Sequence, residues 1–318
     1  MSKKLKVAIV GAGYMASEHL KAFMAISDAE VVGITSRARA RAEELVADFP
    51  NVVVYDSLEE MYQHTLADIV VVTVTELYMA DIAKRCFQFP WLVLLEKPAG
   101  YNLADAASIH AAAMEHQARV YVALNRRAYS STRQALQRLV CNGGPRFIKV
   151  LDQQDQYAAL TIHKNPPLMV ENYMFANSIH LIDYFRVLGR GDVVSVENIC
   201  RWDPQNPGVV LALVTFSSGD KGLYEGIWNG PGPWVVTVNT PQERLEMRPL
   251  EQVSVQLYGE RRSESLDIDP VDTQYKPGLL FQAQQTIRAC RGEPAELADL
   301  DDALKSMELV ARIFNMGA

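Results

Sequence analysis

The chain is poor in cysteine. Four occur in 318 residues, at 86, 141, 200 and 290, and no two are closer than 55 residues. No C-x-x-C pair exists, which excludes a zinc knuckle and a thioredoxin-type motif. Four idle thiols in a reducing compartment are expected. Long apolar runs are missing too, and none approaches the ~18 residues of a membrane span. The N-terminus has three lysines before an apolar stretch, like a signal peptide, but Gly11 and Gly13 break that stretch. A cytoplasmic, unprocessed protein without a membrane partner is expected. Positive charge is not in excess: 31 Lys+Arg stand against 38 Asp+Glu, a net charge of −7. Nucleic acid is therefore not an expected partner. There is no internal repeat, no low-complexity tract and no G-x-S-x-G nucleophile motif. His19, His64, His110 and His116 fall on predicted helices without metal-ligand spacing, so no metal is expected.

What is present reads as two globular domains, at roughly 150 residues each. Over residues 1–124, short apolar runs alternate with helical spacing. Strands are predicted at 6–10, 30–35, 52–55, 68–74, 91–95 and 119–124. Helices are predicted between them, and Ser57 with Glu60 forms a capping box. That alternation predicts an α/β Rossmann domain with a doubly wound parallel sheet, which binds ligands at the carboxyl ends of its strands. From 125 to 318 the pattern changes. Long alternating segments near 146–153, 193–202, 209–217, 222–228, 234–239, 244–248 and 252–258 are joined by turn residues. They predict an α+β domain with an open, mostly antiparallel sheet. Helices are expected near 130–140, 177–188, 279–291 and 301–315.

The first chemical motif is Gly11-Ala12-Gly13-Tyr14-Met15-Ala16, between a strand and a helix. Gly11 permits the tight turn, Gly13 lets a pyrophosphate approach, and Ala16 allows close helix packing. The second strand ends in Thr35-Ser36-Arg37 with no acidic residue to grip a ribose. Ser36 and Arg37 suit a 2′-phosphate, which favours NADP over the alternative, NAD. The third motif, Glu96-Lys97-Pro98, sets a lysine at the sheet's carboxyl edge. Partial desolvation and a positive nicotinamide would bring Lys97 toward an acid/base range. The fourth is residues 177–184, NSIHLIDY. Asn177 or Ser178 is a plausible N-cap, which places His180 in a first helical turn where the dipole disfavours its charged form.

In this order the four motifs resemble the Gfo/Idh/MocA family of NAD(P)-dependent oxidoreductases. The Asn125-Arg126-Arg127 segment resembles that of its inositol-dehydrogenase-like members. The resemblance implies hydride transfer between the nicotinamide and a secondary alcohol or ketone carbon of a sugar, sugar nucleotide or polyol. It implies Lys97 and His180 as the groups that handle the hydroxyl proton. Tyr14, Met15, Thr73, Thr75, Glu96, Lys97 and Asn125 join the expected cofactor contacts. Arg127, Tyr129, Asn177, Asp183 and Tyr184 are the expected substrate contacts.

Two positions depart from the family pattern. Ala176 stands where many members have an acid four residues before the histidine, and Glu76 follows the fourth strand where members commonly have Thr-Pro. They support a second reading, a non-catalytic cofactor-binding sensor or scaffold. The polar run 152–157 lines either the substrate side or a solvent-facing strand edge, and His163 sits in a Pro-rich loop. Val209, Leu211, Leu213 and Thr215 alternate on one strand face and require a cover. A homodimer or homotetramer through the second sheet is expected.

Overall fold

The computed structural model describes residues 3–316. They form two compact units, one of residues 3–128 with Thr273–Leu304 and one of Tyr129–Asp272 with residues 305–316.

The first unit carries six parallel strands: β1 (Leu5–Val10), β2 (Ala29–Thr35), β3 (Val53–Tyr55), β4 (Ile69–Val72), β5 (Leu92–Glu96) and β6 (Arg119–Ala123). Their spatial order is β6-β5-β4-β1-β2-β3. It reverses at β1, so the switch point lies between β1 and β4, where a doubly wound sheet opens for its ligand. The central strands β4 and β5 are buried at every residue. Their unbroken Val, Ile and Leu content follows from helices covering both faces. Ser57 caps the helix Leu58–Thr65 as expected, accepting the Glu60 N–H at 3.0 Å, and Glu60 reaches back to the Asp56 N–H at 2.8 Å.

A single cut at 124/125 assigns residues 273–304 to the second domain. In the structure they pack on the first. Leu279, Ala283 and Ile287 lie at helical spacing on the helix Leu279–Cys290 and join the core of Val7, Ile9, Leu20 and Phe23. A short strand, Ala298–Asp299, then pairs antiparallel with β6.

The second unit is built on β7 (Phe147–Gln154), β8 (Val193–Cys200), β9 (Val209–Phe216), β10 (Lys221–Trp228), β11 (Val235–Asn239), β12 (Glu243–Met247), β13 (Ser254–Leu257) and β14 (Glu264–Ser265). The order is β14-β13-β12-β11-β7-β10-β9-β8. All neighbours are antiparallel except β7 and β10. Side chains alternate strictly. Val210, Ala212, Val214 and Phe216 are buried, while Val209, Leu211, Leu213 and Thr215 face the other way. Leu213 stands opposite Leu223, and Val209 opposite Ile227. Among the described residues no helix is long and apolar enough to cross a membrane.

Candidate active site

In the first unit the glycine loop has the shape its sequence requires. Gly11 adopts φ +110°, and a Cβ there would lie 2.5 Å from Thr73 Oγ1 and 2.9 Å from the Thr73 carbonyl. No other residue fits that backbone and that contact. Thr73 is itself tied down, donating its hydroxyl to the Val10 carbonyl at 2.9 Å. Gly13 differs: it is exposed, and a Cβ there would meet nothing within 4 Å. It precedes the helix Tyr14–Met24, whose first turn has no side-chain cap and no acidic residue. Those N–H groups and the helix dipole suit a pyrophosphate. Ala16 is fully buried, Met15 is half-buried, and Tyr14 is exposed with the Lys276 ammonium 5.1 Å from its ring centre. A dinucleotide fits this cradle.

At the end of β2, Ser36 accepts the Ala38 N–H at 3.3 Å. The Arg37 guanidinium lies 3.8 Å above the Tyr78 ring. Arg39 is held by Glu43 and Asp56. Arg37 is thus the guanidinium of this turn that rests on a ring instead of a carboxylate. Thr75 is exposed just before the short helix Glu76–Tyr78.

Lys97 follows β5 and is half-buried, and its peptide bond to Pro98 is cis. Burial pushes the ammonium below the ordinary lysine range. The negative charges of Glu96 and Glu76 oppose that shift, while Arg126 and Lys276 add to it. Both carboxylates favour the charged lysine, but burial outweighs them. Buried Glu96 accepts the Lys97 N–H at 3.1 Å with one oxygen, and its other oxygen lies 2.9 Å from His19 Nε2. Asn125 is buried, donates to the Pro277 carbonyl at 3.2 Å and accepts from Arg126 at 3.3 Å, so its amide braces the loop. Arg127 pairs with Asp302.

In the second unit the helix bearing His180 corrects the expected cap. Residues Met174–Ser178 form a π-helical turn that runs straight into the helix Ile179–Leu188. Ser178 has helical dihedrals and caps nothing with its side chain. His180 thus does not face an open N-terminus, and the dipole argument for its neutral form falls. His180 is 6% exposed, with its ring centre 6.2 Å from that of Trp234. The Trp234 indole N–H donates to the Gln153 carbonyl at 2.8 Å. Half-buried Asn177 donates to Gln154 Oε1 at 2.7 Å. Asp183 accepts from the Ser306 hydroxyl at 2.7 Å, the Tyr184 hydroxyl lies 3.1 Å from that of Thr132, and both residues are buried, as is Tyr129.

The polar run 152–157 is not an edge. β7 lies inside the sheet, and Asp152 and Gln154 are each 1% exposed. From Asp155 the chain turns into the helix Gln156–Thr161, which Asp155 caps at Ala158 N, 2.7 Å. His163 lies exposed beyond it.

Sequence reasoning did not single out His19, Tyr78 or Lys276 for the site. His19 lies three residues after Ala16, on the buried side of its helix, but nothing local marks it as the partner of Glu96. Lys276 is 179 residues from Lys97 in sequence, so no motif could join them.

Residues 5–124 match the model of an oxidoreductase family described by its NAD-binding Rossmann fold, GFO_IDH_MocA. The chain is 26% identical to inositol 2-dehydrogenase 1 of Paenarthrobacter aurescens over 204 residues, 62% of this chain and 58% of that protein. The chain spans less than two thirds of the curated relatives it matches. Its fold is that of UDP-N-acetylglucosamine 3-dehydrogenase from Acidithiobacillus ferrooxidans, at TM-score 0.79 and 15% identity over 98% of both chains. It is also that of aldose-aldose oxidoreductase from Caulobacter crescentus, at TM-score 0.81 and 17% identity over 98% of this chain and 97% of that one.

Proposed function

From the premise that the chain carries the Rossmann domain of the Gfo/Idh/MocA oxidoreductase family, we propose that it is an NADP(H)-dependent oxidoreductase. Its substrate is the secondary alcohol or ketone carbon of a sugar, sugar nucleotide or polyol. The observation that carries this reading is Lys97. It stands at the carboxyl end of β5, in the same unit as the glycine loop, with its proton affinity lowered by burial. Bound to that loop, the cofactor supplies or accepts the hydride. The chain's own part is to bind, orient and move one proton. Gly11, Gly13, Met15 and Ala16 seat the dinucleotide, and Lys97 and His180 are the groups assigned to the substrate hydroxyl's proton. The carbohydrate class is supported by the names of the relatives, an inositol dehydrogenase and a sugar-nucleotide dehydrogenase among them.

NADP is favoured by the absence of an acid after β2 and by the Arg37 guanidinium above Tyr78, where a fork to a 2′-phosphate costs little reordering. Titration with NADPH and NADH, followed by energy transfer from tryptophan to nicotinamide, tests this. NADPH should bind more tightly, and Arg37→Ala should weaken NADPH by about tenfold or more while sparing NADH. A wild type that prefers NADH overturns the cofactor assignment. A wild type that binds neither overturns the enzyme reading and leaves the scaffold.

The second sheet supports self-association. Leu211, Leu213, Leu223, Ile227 and Leu151 share one half-exposed face, and the Lys149–Glu225 ion pair of 2.9 Å sits among them. Burying such a face against a second copy removes apolar surface from water. The expected state is a dimer or tetramer, and Leu213→Glu should dissociate it in light scattering without unfolding it. A monomeric wild type would end this proposal.

A further inference from the structure

We propose that the second unit holds a polarised amide relay, Asp152 to Gln154 to Asn177, that presets the Asn177 side-chain oxygen as an acceptor for a substrate hydroxyl. The substrate part of this inference rests on the oxidoreductase reading above. The relay itself does not.

Asp152 lies on β7, inside the sheet, and is 1% exposed. A carboxylate buried inside a sheet must have its lone pairs met. One oxygen accepts the Tyr224 hydroxyl at 2.7 Å, and the other accepts Gln154 Nε2 at 2.6 Å. A carboxylate oxygen in that role can only accept, so the Gln154 NH₂ group must face it. Gln154 is buried and cannot turn to water instead. Its Oε1 is thereby aimed the other way, where it accepts from Asn177 Nδ2 at 2.7 Å. The same Asn177 nitrogen lies 3.5 Å from the Tyr173 hydroxyl. With the nitrogen committed, the planar amide presents Oδ1 on its opposite side. Among the described residues nothing donates to that oxygen, and Asn177 is only half-buried. The π-helical turn Met174–Ser178 carries this oxygen three residues before His180. An ordinary amide side chain can rotate to suit either a donor or an acceptor. This one cannot, because turning it over would set Nδ2 away from Gln154 and place two oxygens face to face.

The consequence is a chemical filter. A substrate group that meets Asn177 must donate a proton. A hydroxyl satisfies it. A carboxylate or a phosphate meets a fixed oxygen with the buried Asp152 charge behind it. At this point a neutral hydroxyl is accepted, and a carboxylate or phosphate group is rejected. Asp152 and Gln154 are positioning residues, acting on substrate through Asn177 alone.

The test needs no substrate. In an Asn177→Asp variant the new carboxyl would face Gln154 Oε1, so it should stay protonated, titrating well above the ordinary aspartate range in ¹³C-aspartate NMR. Adding Asp152→Asn frees Gln154 to turn over and donate, and should return that carboxyl toward its ordinary value. An ordinary titration in the single variant overturns the relay, and so does a raised value that the second substitution leaves unchanged. If the single variant does not fold, wild-type amide exchange decides. The Asn177 side-chain NH₂ should be protected, and exchange as fast as that of exposed Asn51 overturns the relay. With substrate in hand, Asp152→Asn alone should raise KM about tenfold, one hydrogen bond's worth, with cofactor affinity unchanged. A wild type that binds neither NADPH nor NADH would sink the enzyme reading, while the carboxyl titration would still judge the relay.

Discussion

Replacing Lys97 with alanine is expected to lower kcat by about 10²–10⁴-fold while leaving NADPH affinity near that of the wild type. The size follows from removing a general acid/base group that acts in the transition state. The split follows from placement: Lys97 directly follows β5, whereas the proposed pyrophosphate cradle is the Gly11–Ala16 loop beyond β1. The pH profile adds a second readout. Burial lowers the lysine's proton affinity, so activity as a base should rise with pH through a value below the ordinary lysine range. Glu96→Gln removes a negative charge that raises this affinity, and should move the rise to lower pH. A Lys97→Ala enzyme within a few-fold of wild-type kcat would sink the assignment.

Gly11→Ala and Gly13→Ala should fail in different ways. At Gly11 an alanine meets both a positive φ and the Thr73 carbonyl at 2.9 Å. The backbone strain alone costs about 1–3 kcal/mol, and the clash must displace Thr73 or the loop. Both stability and cofactor binding should fall, with NADPH weakened by about 100-fold for each 3 kcal/mol of displacement. At Gly13 an alanine touches no protein atom, so the melting temperature should hold. The methyl group would stand in the space left for the pyrophosphate, and NADPH binding should drop even so. A Gly13→Ala protein that binds like the wild type would remove the cradle from the cofactor site. The pair thus separates what glycine does for the fold from what it does for a ligand.

The parts that sequence made legible are those governed by local rules. The apolar run of β1, the glycines after it and the alternation of β9 each follow from a period or a turn requirement within a few residues. The Ser57 cap is of the same kind. What was not legible is of two kinds, a helix that begins before its best cap residues and a partner remote in sequence. The His180 helix looked capped because Asn and Ser are good caps, but the preceding chain was already helical in a π turn. The polar run at 152–157 left a substrate-side lining and a solvent-facing edge both open, and Tyr224 on β10 with Gln154 satisfies Asp152 in the interior. The bond from the Asn125 amide to the Pro277 carbonyl, 152 residues away in sequence, was likewise not legible. No short window of sequence contains Asp152 with Tyr224, or Asn125 with Pro277.

The helix Leu279–Cys290 and the strand Ala298–Asp299 complete a core begun at β1, and this sets a timetable for synthesis. A ribosome making about 5–20 residues per second needs roughly ten to thirty seconds to travel from Ala128 to Ala298. Through that interval the nascent Rossmann half is without Leu279, Ala283 and Ile287, and the edge of β6 is unpaired. The amino-terminal half therefore cannot complete its core until those later segments have been made.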